Sequence, residues 1–223
     1  MVDRNYSVTG GARQESLLAS HRVLRNTYML LSLTLLFSAL TATFAVVTNA
    51  PHLGLFSLLI YLGLFFVTAK LQNSIWGLVS VFALTGFMGY TLGPLLSAFL
   101  GLANGPQLIA TALFGTGVIF LGLSAYVLTT RKVFTFLGGF VMVGMLVLIM
   151  AVLANFFLQI PALTMALSAA IILLMSAFIL WETSNIINGG ETNYIMATVG
   201  LYVSLYNIFT SLLMLLGIFG GDD

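Results

Sequence analysis

The chain has 223 residues, 60% hydrophobic and 6% charged, with a formal net charge of +1 and a mean hydropathy of +1.12. No soluble fold of this size hides so much apolar surface in one core, so the composition predicts a protein of the bilayer. Cysteine is absent, which excludes disulfides, thiolate metal sites and cysteine nucleophiles.

Residues 1–26 form a polar-leaning leader. Its first 20 residues, among them Ser7, Thr9, Gly10, Gly11 and Gln14, lack apolar periodicity and are expected to be disordered. Fully extended, such a segment reaches about 66–72 Å. His21, Arg22 and Arg25 follow at the headgroup level, where basic side chains meet anionic lipid.

Seven apolar runs come next, at 27–48, 53–70, 74–100, 107–130, 134–159, 161–187 and 192–219. A hydrocarbon core about 30 Å thick needs about 20 residues at a 1.5 Å rise, so each run reads as a spanning helix. The expected architecture is an all-α integral membrane protein, with a transmembrane domain at 27–219 and a short tail at 220–223. The runs are continuous rather than alternating, which excludes a β-barrel. The first run is longer than a signal-peptide core and lacks a short basic start, so it is expected to stay in the protein.

The basic residues set the expected orientation. Arg4, Arg13, Arg22 and Arg25 precede helix 1, Lys70 lies between helices 2 and 3, and Arg131 with Lys132 lies between helices 4 and 5. All fall on one side, so the amino terminus is expected in the cytosol and the carboxyl terminus outside it.

Chemistry for catalysis is scarce. Asp3, Asp222 and Asp223 are the only aspartates and lie in the tails, so no aspartyl dyad forms between helices. His21 and His52 are expected on opposite faces, which removes HExxH and serine–histidine arrangements. No phosphate-binding glycine loop or nucleic-acid-binding basic stretch is present. We therefore expect no catalytic residue, no resident cofactor or metal, and no nucleic-acid partner.

Two helix faces stand out. On helix 3, Gly86, Gly89, Gly93 and Ser97 share a strip and Pro94 removes a helical hydrogen bond, which predicts tight packing and a kink. On helix 7, Asn193, Ala197, Gly200, Ser204, Asn207 and Ser211 form one small and polar face. Small residues let backbones approach, and an amide such as Asn207 would be unsatisfied against lipid, so this face should point into protein. Helix 7 is the candidate centre of the bundle.

Glu182 closes the sixth run. Counting from Pro161, it lies about 31 Å along the helix, near the membrane boundary. A solvated helix end is one reading. If the side chain is tucked inward, desolvation favours its neutral form and makes it a pH-responsive element. Lys70 is a possible partner charge at the same face. Glu191, beside Gly189 and Gly190, sits where a carboxylate favours the start of helix 7. Two carboxylates in a loop fall short of the six to eight oxygens that Ca²⁺ prefers.

Four stretches carry a family resemblance: HRVLRNTYMLLSLTLLFSAL (21–40), TGFMGYTLGPLL (85–96), SAYVLTTRKVFTFLGG (124–139), and WETSNIINGGETNYI (181–195) running into LYVSLYNIF (201–209). They closely resemble the Bax inhibitor-1 family in its bacterial YccA-type branch. The resemblance implies six helices around a central seventh. It also implies, from the wider family, a pH-sensitive calcium leak gated by two aspartates near the cytosolic ends of helices 6 and 7. The matching positions are Glu182 and Ser204, with Asn207 a turn further along. Ser204 leaves Glu182 without a second acid to share a proton with. For the YccA-type branch the resemblance implies an inner-membrane substrate and modulator of the ATP-dependent protease FtsH, acting with HflK and HflC. Lipid, and calcium or protons, are the other expected contacts.

Overall fold

A computed structural model describes residues 4–220, with side chains from Ala19 onward apart from Leu55. Seven helices follow one another: α1 Arg4–Val47, α2 Leu55–Leu71, α3 Ile75–Leu100, α4 Gly105–Thr130, α5 Leu137–Leu158, α6 Pro161–Ile187 and α7 Tyr194–Gly220. Six contain segments long and apolar enough to cross a membrane, α1 through its Ala19–Val47 portion, and α2 is a shorter apolar helix. The seven runs legible in the sequence are thus seven helices. Of the two tails, Asp3, Asp222 and Asp223 lie outside the described residues.

The backbone of the leader is helical from Arg4 and continuous with the spanning part of α1. Between Arg4 and Asn26 no proline interrupts the chain, and extending an existing helix costs only propagation, not a new nucleus.

The short connections alternate the helix directions. At one end, here called the basic end, Ser20, Arg131 and Ile187 surround a common depression, and Asn193 reaches across to Gln72 and Asn73. At the far end the Asn104 amide donates to the Gly220 carbonyl, tying the α3–α4 loop to the end of α7.

Among the described residues, α7 carries the most buried ones of the seven helices, from Ile195, Ala197 and Thr198 to Ser211 and Leu213. It packs on α1, α3, α4 and α6, whereas α2 packs on α3 and α5 on α6. The seventh helix is therefore central, but only four of the other six touch it substantially. The physical reason lies in side-chain size. α5 carries Phe140, Met142, Leu146, Met150 and Phe157 outward, all exposed, and bulky apolar groups gain nothing by leaving lipid for protein.

The tightest contact joins α1 to α3. A side chain added at Gly86 would run into Phe37, at Gly89 into the Ser38 carbonyl, and at Gly93 into Ala45. The glycine strip is thus the groove in which α1 lies, and dispersion across it stands in for the hydrophobic drive that lipid removes. Pro94 is accommodated inside α3, which stays helical on both sides of it.

Candidate functional site

Glu182 is drawn into the bundle: its residue is 4% exposed, and its neighbours Thr183 and Ser184 are buried as well. Helix α6 can bring a carboxyl there because α7 offers no side chain at Gly200. A Cβ at that position would stand 3.0 Å from the Phe178 ring and 4.0 Å from Glu182 Oε1. The small residue therefore makes the recess, and Phe178 and Ile179 wall it with apolar surface. Among the described residues no hydrogen-bond partner of the carboxylate is found, so burial here is uncompensated.

The same half of the bundle holds other unpaired polar groups. The hydroxyls of Thr27 and Tyr28 on α1, Ser124 on α4 and Thr183 on α6 are buried without a hydrogen-bond partner. Thr27 is near the level of Glu182, since its carbonyl accepts a bond of 3.3 Å from Thr198 Oγ1, two residues before Gly200. Buried polar atoms normally find partners, so several orphans in one region mark it as unlike the rest of the interior.

The remaining sequence-derived site residues separate into three groups. Ser204 is 1% exposed, but its hydroxyl donates to the Gly200 carbonyl at 2.9 Å rather than to Glu182. Asn207 likewise turns back, donating to the Val203 carbonyl at 2.8 Å. In an apolar surrounding the nearest acceptor is the helix's own backbone four residues earlier, and both side chains take it. Among the described residues neither side chain bonds to another helix.

Asn193 and Glu191 shape the start of α7. Asn193 Oδ1 accepts from the backbone N–H groups of Ile195 at 3.0 Å and Met196 at 3.2 Å. This is an N-cap, satisfying donors that the first helical turn leaves free. Its amide donates to the Gln72 carbonyl at 3.1 Å and Asn73 Oδ1 at 2.9 Å. Glu191 Oε1 accepts from the Asn193 N–H at 2.6 Å. Lys70 forms the third group. It is exposed at the end of α2, which packs on α3 and not appreciably on α6, so the structure does not bring it to Glu182.

Other polar residues of the interior were not singled out from the sequence. Tyr202 is 2% exposed; its hydroxyl pairs with Ser38 Oγ and donates to the Thr85 carbonyl at 3.1 Å, joining α7 to α1 and α3. Tyr61, Thr91 and Tyr206 form a second such chain across α2, α3 and α7. Ser184 accepts from the Phe134 N–H at 3.0 Å and donates to the Lys132 carbonyl at 3.3 Å, fastening the α4–α5 loop to α6. A tyrosine inside an apolar run must find a partner for its hydroxyl, and that rule alone would have drawn attention to Tyr202.

A bundle of apolar helices around a buried central helix, with a buried acid at one end, defines a polytopic integral membrane protein. Residues 20–221 match the family described as "Inhibitor of apoptosis-promoting Bax1", and the chain belongs to this Bax inhibitor-1 family. It is 55% identical over 216 residues to "Modulator of FtsH protease YccA" of Escherichia coli K12, covering 96% of this chain and 98% of that one. It is 54% identical to an uncharacterised protein of Pseudomonas aeruginosa over the full length of both. An uncharacterised membrane protein of Vibrio cholerae is 44% identical, covering 94% of this chain and 95% of that one.

Proposed function

We propose that this chain is a non-enzymatic inner-membrane modulator of an FtsH-type ATP-dependent protease, acting as a slowly extracted substrate alongside HflK and HflC. The observation that carries this reading is the 55% identity to the E. coli modulator over 96% of this chain and 98% of that one. The fold supplies a physical basis. A protease that pulls a chain from one end must separate α1 from the glycine groove of α3 and then dismantle contacts centred on α7. Each extracted helix exposes apolar surface to water, so extraction is slow and occupies the enzyme.

The handle is the leader before Ala19, which precedes the apolar span. The basic residues gathered at one end support its cytosolic location through the positive-inside rule, with the carboxyl terminus in the periplasm. Deleting residues 2–20 should lengthen the lifetime of the protein in cells and remove its effect on degradation of other membrane substrates. A truncated chain that turns over and inhibits like the full one sinks the handle.

A second reading rests on the burial of Glu182: a slow, pH-responsive cation pathway beside α7, of the calcium-leak type. Its test is purified protein in liposomes loaded with a calcium dye. Flux that depends on pH in the wild type and not in Glu182→Gln supports it; flux equal to that of empty liposomes between about pH 5 and 8, the range in which a perturbed carboxyl titrates, rejects it.

A further inference from the structure

Helices α1 and α4 both pack on α6 and α7 but scarcely on each other. The seam between them is open to the side, and at the basic end it widens into two adjoining concavities of about 150 and 680 Å³ that share His21, Leu24 and Leu128. Arg22 and Arg25 line one, Arg131 the other. These cations come from chain segments more than a hundred positions apart, so their meeting is a product of the fold.

Local geometry explains how Arg131 gets there. It ends α4 in the left-handed conformation, φ 49°, with its N–H bonded to the Val127 carbonyl at 2.8 Å. That turn ends the helix, and the loop after it is held on α6 by Ser184, which bonds to Lys132 and Phe134. Across the seam, the Tyr28 ring lies 5.7 Å from that of Phe120 and floors the opening. The Tyr28 hydroxyl is buried with no hydrogen-bond partner among the described residues. Among the described residues no carboxylate lines either concavity.

We propose that this seam is a binding site for one anionic phospholipid. Its phosphodiester sits among Arg22, Arg25, Arg131 and His21, and an acyl chain lies against Leu24 and Leu128. Guanidinium groups suit a phosphate because their planar forks donate two parallel hydrogen bonds. The apolar half of the lining decides between sources. A free phosphate would leave Leu24 and Leu128 uncovered, whereas a lipid covers both. Beyond the Tyr28–Phe120 contact the seam is apolar again, opening into a cavity of about 560 Å³ lined by residues such as Leu35, Leu113 and Phe209. Lys70 and Lys132 belong to the same end of the bundle but line neither concavity, so general attraction to a charged membrane surface does not account for the arrangement.

The test uses the full chain purified in mild detergent and mixed with phosphatidylglycerol or phosphatidylcholine, with retained lipid counted by native mass spectrometry. One phosphatidylglycerol should be retained in preference to phosphatidylcholine. Neutralising Arg25→Gln or Arg131→Gln should weaken retention about fivefold each, Arg131→Lys should restore part of it, and Lys70→Gln should bind as the wild type does. His21→Ala, which leaves the arginines intact, should weaken retention without changing insertion, so the site stays testable if an arginine variant fails to insert. Equal retention of the two lipids overturns the proposal. A Lys70→Gln loss as large as that of Arg131→Gln also overturns it, as does displacement by inorganic phosphate, which would mark a free-anion site.

Discussion

Gly89 of α3 lies directly beneath the Ser38 carbonyl of α1, so close that no Cβ fits between them. Substitution Gly89→Ala should therefore force the two helices apart and destabilise the bundle by about 1–3 kcal/mol. Gly63 on α2 is the control, since nothing lies within 4 Å of a Cβ there; Gly63→Ala should be neutral or stabilise by up to about 1 kcal/mol. Thermal unfolding in detergent, followed by circular dichroism, separates the two. Equal melting temperatures for both variants would show that the α1–α3 contact is softer than its geometry.

Tyr202 joins three helices through one hydroxyl, with Ser38 on one side and the Thr85 carbonyl on the other. Tyr202→Phe keeps the ring and deletes only that group. We expect a loss of about 0.5–2 kcal/mol, the range for a hydrogen bond between helices inside a membrane protein. Adding Ser38→Ala should cost less than the sum of the two single changes, because both remove the same bond. Strict additivity would mean that the hydroxyl pair contributes nothing.

Asn193 performs two tasks with two atoms, and substitution can divide them. Asn193→Asp retains an oxygen to cap Ile195 and Met196 but loses the amide donor to Gln72 and Asn73. Asn193→Ala loses both. Removal of the cap is worth about 0.5–2 kcal/mol, so the alanine variant should melt below the aspartate variant. Hydrogen exchange at the α2–α3 turn should rise in both. If exchange there rises only in the alanine variant, the amide bridge does not hold that turn.

Glu182 is buried without a hydrogen-bond partner among the described residues, so its ionised form gains no compensating contact there and burial favours the neutral one. Glu182→Gln, nearly the same shape and always neutral, should melt no lower than the wild type. Gly200→Ala should be destabilising, because the new Cβ meets the Phe178 ring at 3.0 Å. A sharp loss of stability in the glutamine variant would point instead to a cation held by the carboxylate.

The number of helices and most of their limits were legible in residue order, because a bilayer of set thickness demands apolar runs of set length and lipid does not alter that demand. The motifs at 85–96, 124–139 and 181–195 were enough to identify the family. The small face of helix 7 marked it as central, and the strip Gly86, Gly89, Gly93 marked a tight contact. Neither named its partner. Hydropathy cannot do so, since every helix is nearly as comfortable against lipid as against another helix, and the choice falls to shape and to single hydrogen bonds. For that reason only the tertiary structure set α1 into the groove of α3 and left α2 and α5 outside. It also parted Lys70 from Glu182, turned Ser204 and Asn207 back on their own helix, and tucked Glu182 into the recess that Gly200 leaves open.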